Sequence, residues 1–129
     1  MGVKTVLMVY HNYNLVKKFA NELYKNNYNL EMYAEPNEAL LNYTPNHFDL
    51  LLFEIRLSKI SGFELYSIIN KIENVPACFI TNLASYYRSL RDIYPNIDAT
   101  CFISPMISPT AFIKIIQKIY FLMDNSRSL

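Results

Sequence analysis

A doubly wound α/β domain, with helices on both faces of a parallel sheet, is the fold class this sequence predicts. Short apolar runs alternate with helix-like segments five times along the chain. Three of the runs (Val6–Val9, Leu50–Phe53, Ala77–Ile80) are almost continuously apolar, as strands covered on both faces are. With 129 residues and 52% hydrophobic content, the chain is long enough to bury one core and no more.

The elements follow in order. Thr5–Val9 reads as the first strand, and Asn14–Asn26 as a helix placing Leu15, Phe19, Leu23 and Tyr24 at helical spacing after an Asn cap. Leu30–Tyr33 is a more mixed strand and suits a sheet edge. Pro36 opens a short helix that must end before Pro45. Leu50–Phe53 is the third strand, and Phe63–Asn70 is a helix following Gly62. Ala77–Ile80 is the fourth strand, Ser85–Ile93 a fourth helix and Thr100–Ile103 the fifth strand. The last helix runs from Pro109 to about Met123, with Ser108 as its cap and Pro109 in the first turn. Residues 1–123 therefore form one domain, and Asp124–Leu129 is expected to be a frayed tail.

Composition excludes several function classes. The net charge is +1 with no basic stripe, so neither nucleic acid nor an anionic membrane is an expected partner. No apolar run approaches the length of a membrane span, and a cytoplasmic location is expected. Two glycines, Gly2 and Gly62, cannot build a dinucleotide fingerprint or a phosphate loop. His11 and His47 have no ligand-spaced Cys or Asp partners, so neither a metal nor another cofactor is expected. Cys78 and Cys101 lie in apolar strand-like runs and read as small buried hydrophobes.

Four segments together resemble the receiver domains of response regulators. Asp49-Leu-Leu-Leu-Phe-Glu54 with Gly62 eight residues on resembles the third strand, which in that family ends in the phosphoacceptor Asp. Val75-Pro-Ala-Cys-Phe-Ile-Thr81 is similar to the fourth strand and its terminal Ser/Thr. Cys101-Phe-Ile-Ser104-Pro105 stands where the family carries a Lys-Pro pair, and Tyr10-His11 where it carries an acidic pair. The match runs in order from about Lys4 to Ile119. It implies a flavodoxin-like three-layer α/β/α sandwich with strand order 2-1-3-4-5.

The departures from the pattern bear on function. Phosphoryl transfer to a receiver resembles other in-line displacements, in which Mg²⁺ and a Lys neutralise the phosphoryl oxygens. Here Tyr10 and His11 replace the metal-binding acids, Glu54 replaces the Asp, and Ser104 replaces the Lys; Thr81 alone is retained. Losing metal site, nucleophile geometry and cation together should cost several orders of magnitude in rate. The expected protein is therefore a pseudo-receiver and not an enzyme. Glu54, one methylene longer than Asp, either imitates a phosphorylated residue or is a solvated carboxylate at a strand end. His11 either forms an ion pair with Glu54 or faces water. Arg56 either reaches over the pocket mouth or is a solvated loop residue.

On a helical wheel the last helix centres its core face on Phe112, Ile116, Ile119 and Met123. Ile113 and Tyr120 lie about a quarter-turn away and Phe121 almost opposite, an arc wider than one sheet face requires. Either the monomer shields this arc, or it joins Tyr86 and Tyr87 of the fourth helix in a contact face. The resemblance implies that such a face, made by the fourth helix, fifth strand and last helix, serves homodimers and partner docking. The expected function is phosphorylation-independent protein interaction in signalling or transcriptional regulation. The alternatives are an unorthodox phosphoacceptor using Glu54 and a small-ligand sensor at the carboxyl ends of the strands, lined by Tyr10, His11, Asn82 and Ser104.

Overall fold

The computed structural model describes residues 2–82, 88, 91–93, 95 and 102–127, with side chains through residue 124. Within them the chain runs β1 (Thr5–Val9), α1 (Tyr13–Lys25), β2 (Asn29–Tyr33), α2 (Pro36–Leu41), β3 (Leu50–Glu54), α3 (Gly62–Asn70), β4 (Ala77–Ile80), β5 (Phe102–Ile103) and a C-terminal helix (Pro109–Arg127). The strands form one parallel sheet in the order β2-β1-β3-β4-β5. This is the α/β/α sandwich and the strand order that the sequence predicts. The expected fourth helix lies mostly outside the described residues, as does Cys101, whereas Cys78 is buried in β4.

Strand parity divides the core in two. Val6, Met8, Leu50, Leu52, Cys78 and Ile80 face one way and meet Val16, Phe19, Ala20 and Leu23 of α1 and Phe112 and Ile116 of the C-terminal helix. Leu7, Val9, Leu51, Phe53, Ala77 and Phe79 face the other way, under Ala39 of α2 and Leu65, Tyr66 and Ile69 of α3. Phe19 and Phe112 stack at 4.4 Å between ring centroids and join the two helices of the first layer. Each such fully buried large side chain stabilises the fold by about 1.5–3 kcal/mol relative to exposure.

The caps follow side-chain chemistry. Asn12 Oδ1 accepts the Asn14 N–H (3.0 Å), Ser61 Oγ the Glu64 N–H (3.1 Å) and Ser108 Oγ the Ala111 N–H (3.1 Å). At the opposite end of the sheet, Asp49 Oδ2 accepts the Thr5 N–H at 2.8 Å, fastening the starts of β1 and β3 together.

Three expectations are corrected. In α1 the buried stripe is Val16, Phe19, Ala20 and Leu23, while Leu15 and Tyr24 are exposed. The helix begins at Tyr13, capped by Asn12, and its actual docking angle favours the Val16–Ala20 side. In the C-terminal helix the buried face is rotated toward Ile113 (7% exposed) and Tyr120 (5%), which lie in the core and not on a free contact face. Tyr120 stacks on Tyr28 at 5.5 Å, with Lys4 Nζ 5.5 Å from its ring centroid. Finally, helix continues through residues 124–127, and Asp124 pairs with Lys4 at 3.6 Å.

Candidate functional site

The carboxyl ends of β1, β3, β4 and β5 bring Tyr10, His11, Glu54, Thr81 and Ser104 to one end of the sheet. Each side chain has a distinct surrounding.

Glu54 is the last residue of β3, and strand parity turns it toward the α1 side of the sheet, as it does Leu50 and Leu52. It is buried, at 7% exposure. Its Oε2 accepts the backbone N–H of His11 at 2.5 Å and that of Asn12 at 2.9 Å. Asn12 is the N-cap of α1, so the carboxylate also lies at the positive end of that helix. A buried carboxylate with two N–H donors is a satisfied one, and charge-assisted bonds of this kind are about twice as strong as neutral ones. The solvated strand-end reading of Glu54 is thereby replaced.

His11 contributes its backbone to this arrangement and leaves its side chain exposed. Among the described residues no His11–Glu54 ion pair forms, because the carboxylate is engaged by main-chain N–H groups instead. Tyr10 is half-buried, packs against the core and lies 5.8 Å from the Tyr13 ring, and its N–H donates to the Tyr33 carbonyl. Ser104 uses its Oγ to accept the Met106 N–H at 3.1 Å, shaping the turn into the C-terminal helix. Thr81 is half-buried, and its N–H donates to the Ile103 carbonyl at 2.9 Å.

Beside Glu54 a cavity of about 390 Å³ opens at the carboxyl ends of β3 and β4. Its polar wall is Arg56, Thr81 and Asn82; its apolar wall is Leu15, Ile55, Ile80 and Pro105. Of the side chains expected to line a ligand crevice, Asn82 does so, whereas Tyr10, His11 and Ser104 are not part of this cavity. Arg56 stands at its edge, exposed. Asn12 and Leu15 were not singled out for the site by sequence. The signal for Asn12 was its role as cap, and for Leu15 its position in the first turn of α1.

A receiver's Mg²⁺ requires oxygen donors, chiefly carboxylates. Tyr10 and His11 offer a phenol and an exposed imidazole, and the one carboxylate oxygen nearest them already accepts two N–H bonds. This donor set does not fit a Mg²⁺ site. Among the described residues no group of three or more His, Cys, Asp or Glu side chains is placed to hold a metal.

Of the five side chains expected at a contact face, Ile113 and Tyr120 are core, Tyr86 and Tyr87 lie outside the described residues, and Phe121 is 64% exposed. Leu122 beside it and Ile93 are also exposed. Among the described residues no helix is long and apolar enough to cross a membrane.

No protein-family model and no curated protein matches this sequence. Solved structures do match. The non-phosphorylated HemR receiver domain from Leptospira biflexa is 26% identical, with a TM-score of 0.77 over 90% of this chain and 93% of that one. A CheY-like receiver domain protein from Methanospirillum hungatei is 22% identical, with a TM-score of 0.81 over 97% and 99%. The chemotaxis regulator CheY4 of Vibrio cholerae is 18% identical, with a TM-score of 0.77 over 92% and 99%. Along nearly its whole length, the chain has the structure of the CheY-like receiver domains of response regulators.

Proposed function

We infer that this chain is a pseudo-receiver, a protein-interaction module of signal transduction or transcriptional regulation that works without phosphorylation. One observation carries the reading. The carboxylate at the phosphoacceptor position is buried and bound to the His11 and Asn12 amides. Ser104, which stands where a receiver carries its Lys, supplies no cation to a phosphoryl group. The buried charge instead fastens β3 to the β1–α1 junction and holds that end of the sheet in one arrangement.

Such a module acts through its surface. The docking face in this reading is the C-terminal helix with β5 and the segment before it. Phe121 and Leu122 form an exposed apolar pair there, and aromatic anchors of this kind dominate protein interfaces. The partner is a signalling or regulatory protein or a second copy of the chain.

The experiment is an amide NMR titration with Mg²⁺ and beryllofluoride, which mimics a bound phosphoryl group. The expected result is no saturable shift at Glu54, Thr81 or Ser104. Saturable shifts there would make the protein an unorthodox phosphoacceptor and overturn the reading. Light scattering at tens of micromolar then separates self-association from a foreign partner, and a strictly monomeric protein sinks the homodimer version.

A further inference from the structure

We propose that the cavity at the carboxyl ends of β3 and β4 binds a small amphipathic carboxylate, a molecule with an apolar body and a single anionic head. The proposal rests on the pseudo-receiver reading in one respect, that this end of the sheet is not used for phosphoryl chemistry.

Three features of the cavity select the ligand class. The first is size. A volume of about 390 Å³ falls within the range of small-molecule sites and far exceeds what one inorganic oxyanion fills. The second is the lining. Ile55 and Ile80, each under a twentieth exposed, form an apolar floor, and Leu15 and Pro105 form apolar sides. Leu15 is 38% exposed, on a helix whose other large aliphatic side chains, Val16 and Leu23, are buried. A ligand's hydrocarbon would remove it from water.

The third is charge. Glu54 borders the cavity, but its Oε2 is compensated by the His11 and Asn12 amides at the helix terminus, so it is a poor counter-ion for a cation. Arg56 has the opposite standing: among the described residues it has no hydrogen-bond or ion-pair partner. A guanidinium presents a planar fork that matches a carboxylate in two parallel bonds. Thr81 and Asn82 stand on the same wall as further polar contacts. One cation among the described lining residues matches one negative charge, and the apolar floor requires a body attached to it.

The test is an amide NMR titration of the full chain with acetate, butanoate, hexanoate and benzoate, set against hexanamide and inorganic phosphate. The expected result is saturable shifts confined to Leu15, Glu54–Arg56 and Ile80–Asn82, with affinity rising roughly two- to fourfold per added methylene. Hexanamide should bind roughly tenfold more weakly than hexanoate, and Arg56→Gln should abolish that preference. Arg56 is exposed, so this variant keeps the fold, which its spectrum verifies directly. Leu15→Ala should flatten the dependence on chain length. No saturable shift with any carboxylate through the millimolar range overturns the proposal. So does phosphate binding as tightly as hexanoate, or an Arg56→Gln variant that still prefers the acid. The beryllofluoride arm keeps the two readings apart: its shifts would sink the pseudo-receiver whatever the carboxylates do, and carboxylate failure with a silent beryllofluoride arm sinks this proposal alone.

Discussion

Glu54 Oε2 lies 2.5 Å from the backbone nitrogen of His11, and this bond joins the carboxyl end of β3 to the junction of β1 and α1. The second N–H, from Asn12, belongs to the N-cap of α1. An Asp side chain at this position is one methylene shorter, so the length of Glu is what lets the carboxylate engage both. Glu54 thus clasps the carboxyl end of β3 to the β1–α1 junction.

Removing that clasp should be costly. Glu54→Ala leaves two partly buried N–H groups without their acceptor, and a loss of roughly 2–3 kcal/mol is expected by urea unfolding. Glu54→Gln keeps an acceptor oxygen but not the charge, and about 1 kcal/mol is expected. Equal stability of the wild type and the Ala variant would show that the clasp contributes nothing.

Gly62 predicts an effect opposite in sign to helix propensity. A Cβ at this position would lie 2.4 Å from the Glu54 carbonyl oxygen and 3.2 Å from the Ile55 Cα, both backbone atoms that cannot yield as a side chain would. The Gly62 N–H also donates to the Ile55 carbonyl at 2.8 Å, holding α3 against the end of β3. Ala ordinarily stabilises a helix relative to Gly. Gly62→Ala should nevertheless destabilise by roughly 1–3 kcal/mol through overpacking. A thermal melt at or above the wild-type midpoint refutes the steric account.

The sheet was legible in the sequence because buried parallel strands must be continuously apolar, and Leu50–Phe53 and Ala77–Ile80 are. Glu54, Thr81 and Asn82 of the cavity were legible too, since they end β3 or follow β4, whereas Ser104, Tyr10 and His11 do not line it. What escaped was orientation. A helical wheel cannot choose between Leu15 and Val16, or between Ile113 and Ile119, when both sides of the arc are apolar; the docking angle of the helix decides. The clasp escaped for a different reason. Its donors are main-chain N–H groups, which every residue except Pro carries and which no side-chain pattern reveals.

Tyr120 links burial to alkaline stability. Its hydroxyl is buried and has no hydrogen-bond partner among the described residues, and burial first, with the nearby Asp49 carboxylate second, pushes its pKa above the usual phenol value. The folded value exceeds the unfolded value of 10.0, so the stabilisation is complete below pH 10 and is lost as the pH rises above it. The loss should approach about 1.4 kcal/mol per pH unit for this residue. Tyr120→Phe removes an unsatisfied buried hydroxyl, so neutral-pH stability should be unchanged or up to about 1 kcal/mol higher, and the alkaline slope shallower. Urea midpoints at neutral pH and near pH 11 check both, and an unchanged slope defeats the assignment.

Lys59 marks strain in the loop that carries β3 into α3. Its φ is 70°, in the left-handed region, and the Ile60 N–H donates to the Ser58 carbonyl across it at 2.8 Å. A side-chain-bearing residue in this conformation costs roughly 1–2 kcal/mol. The turn is kept because Ser58 Oγ donates to Glu35 Oε2 at 2.5 Å, tying the loop to the start of α2. Glycine would relieve the strain but add roughly 0.5–1 kcal/mol of unfolded-state entropy to be lost. Lys59→Gly should therefore raise stability by about 0.5–1 kcal/mol, whereas Lys59→Ala, which keeps the Cβ, should not. If the two variants melt together, the positive φ is not where the strain resides, and the Ser58–Glu35 bond holds a loop that was already relaxed.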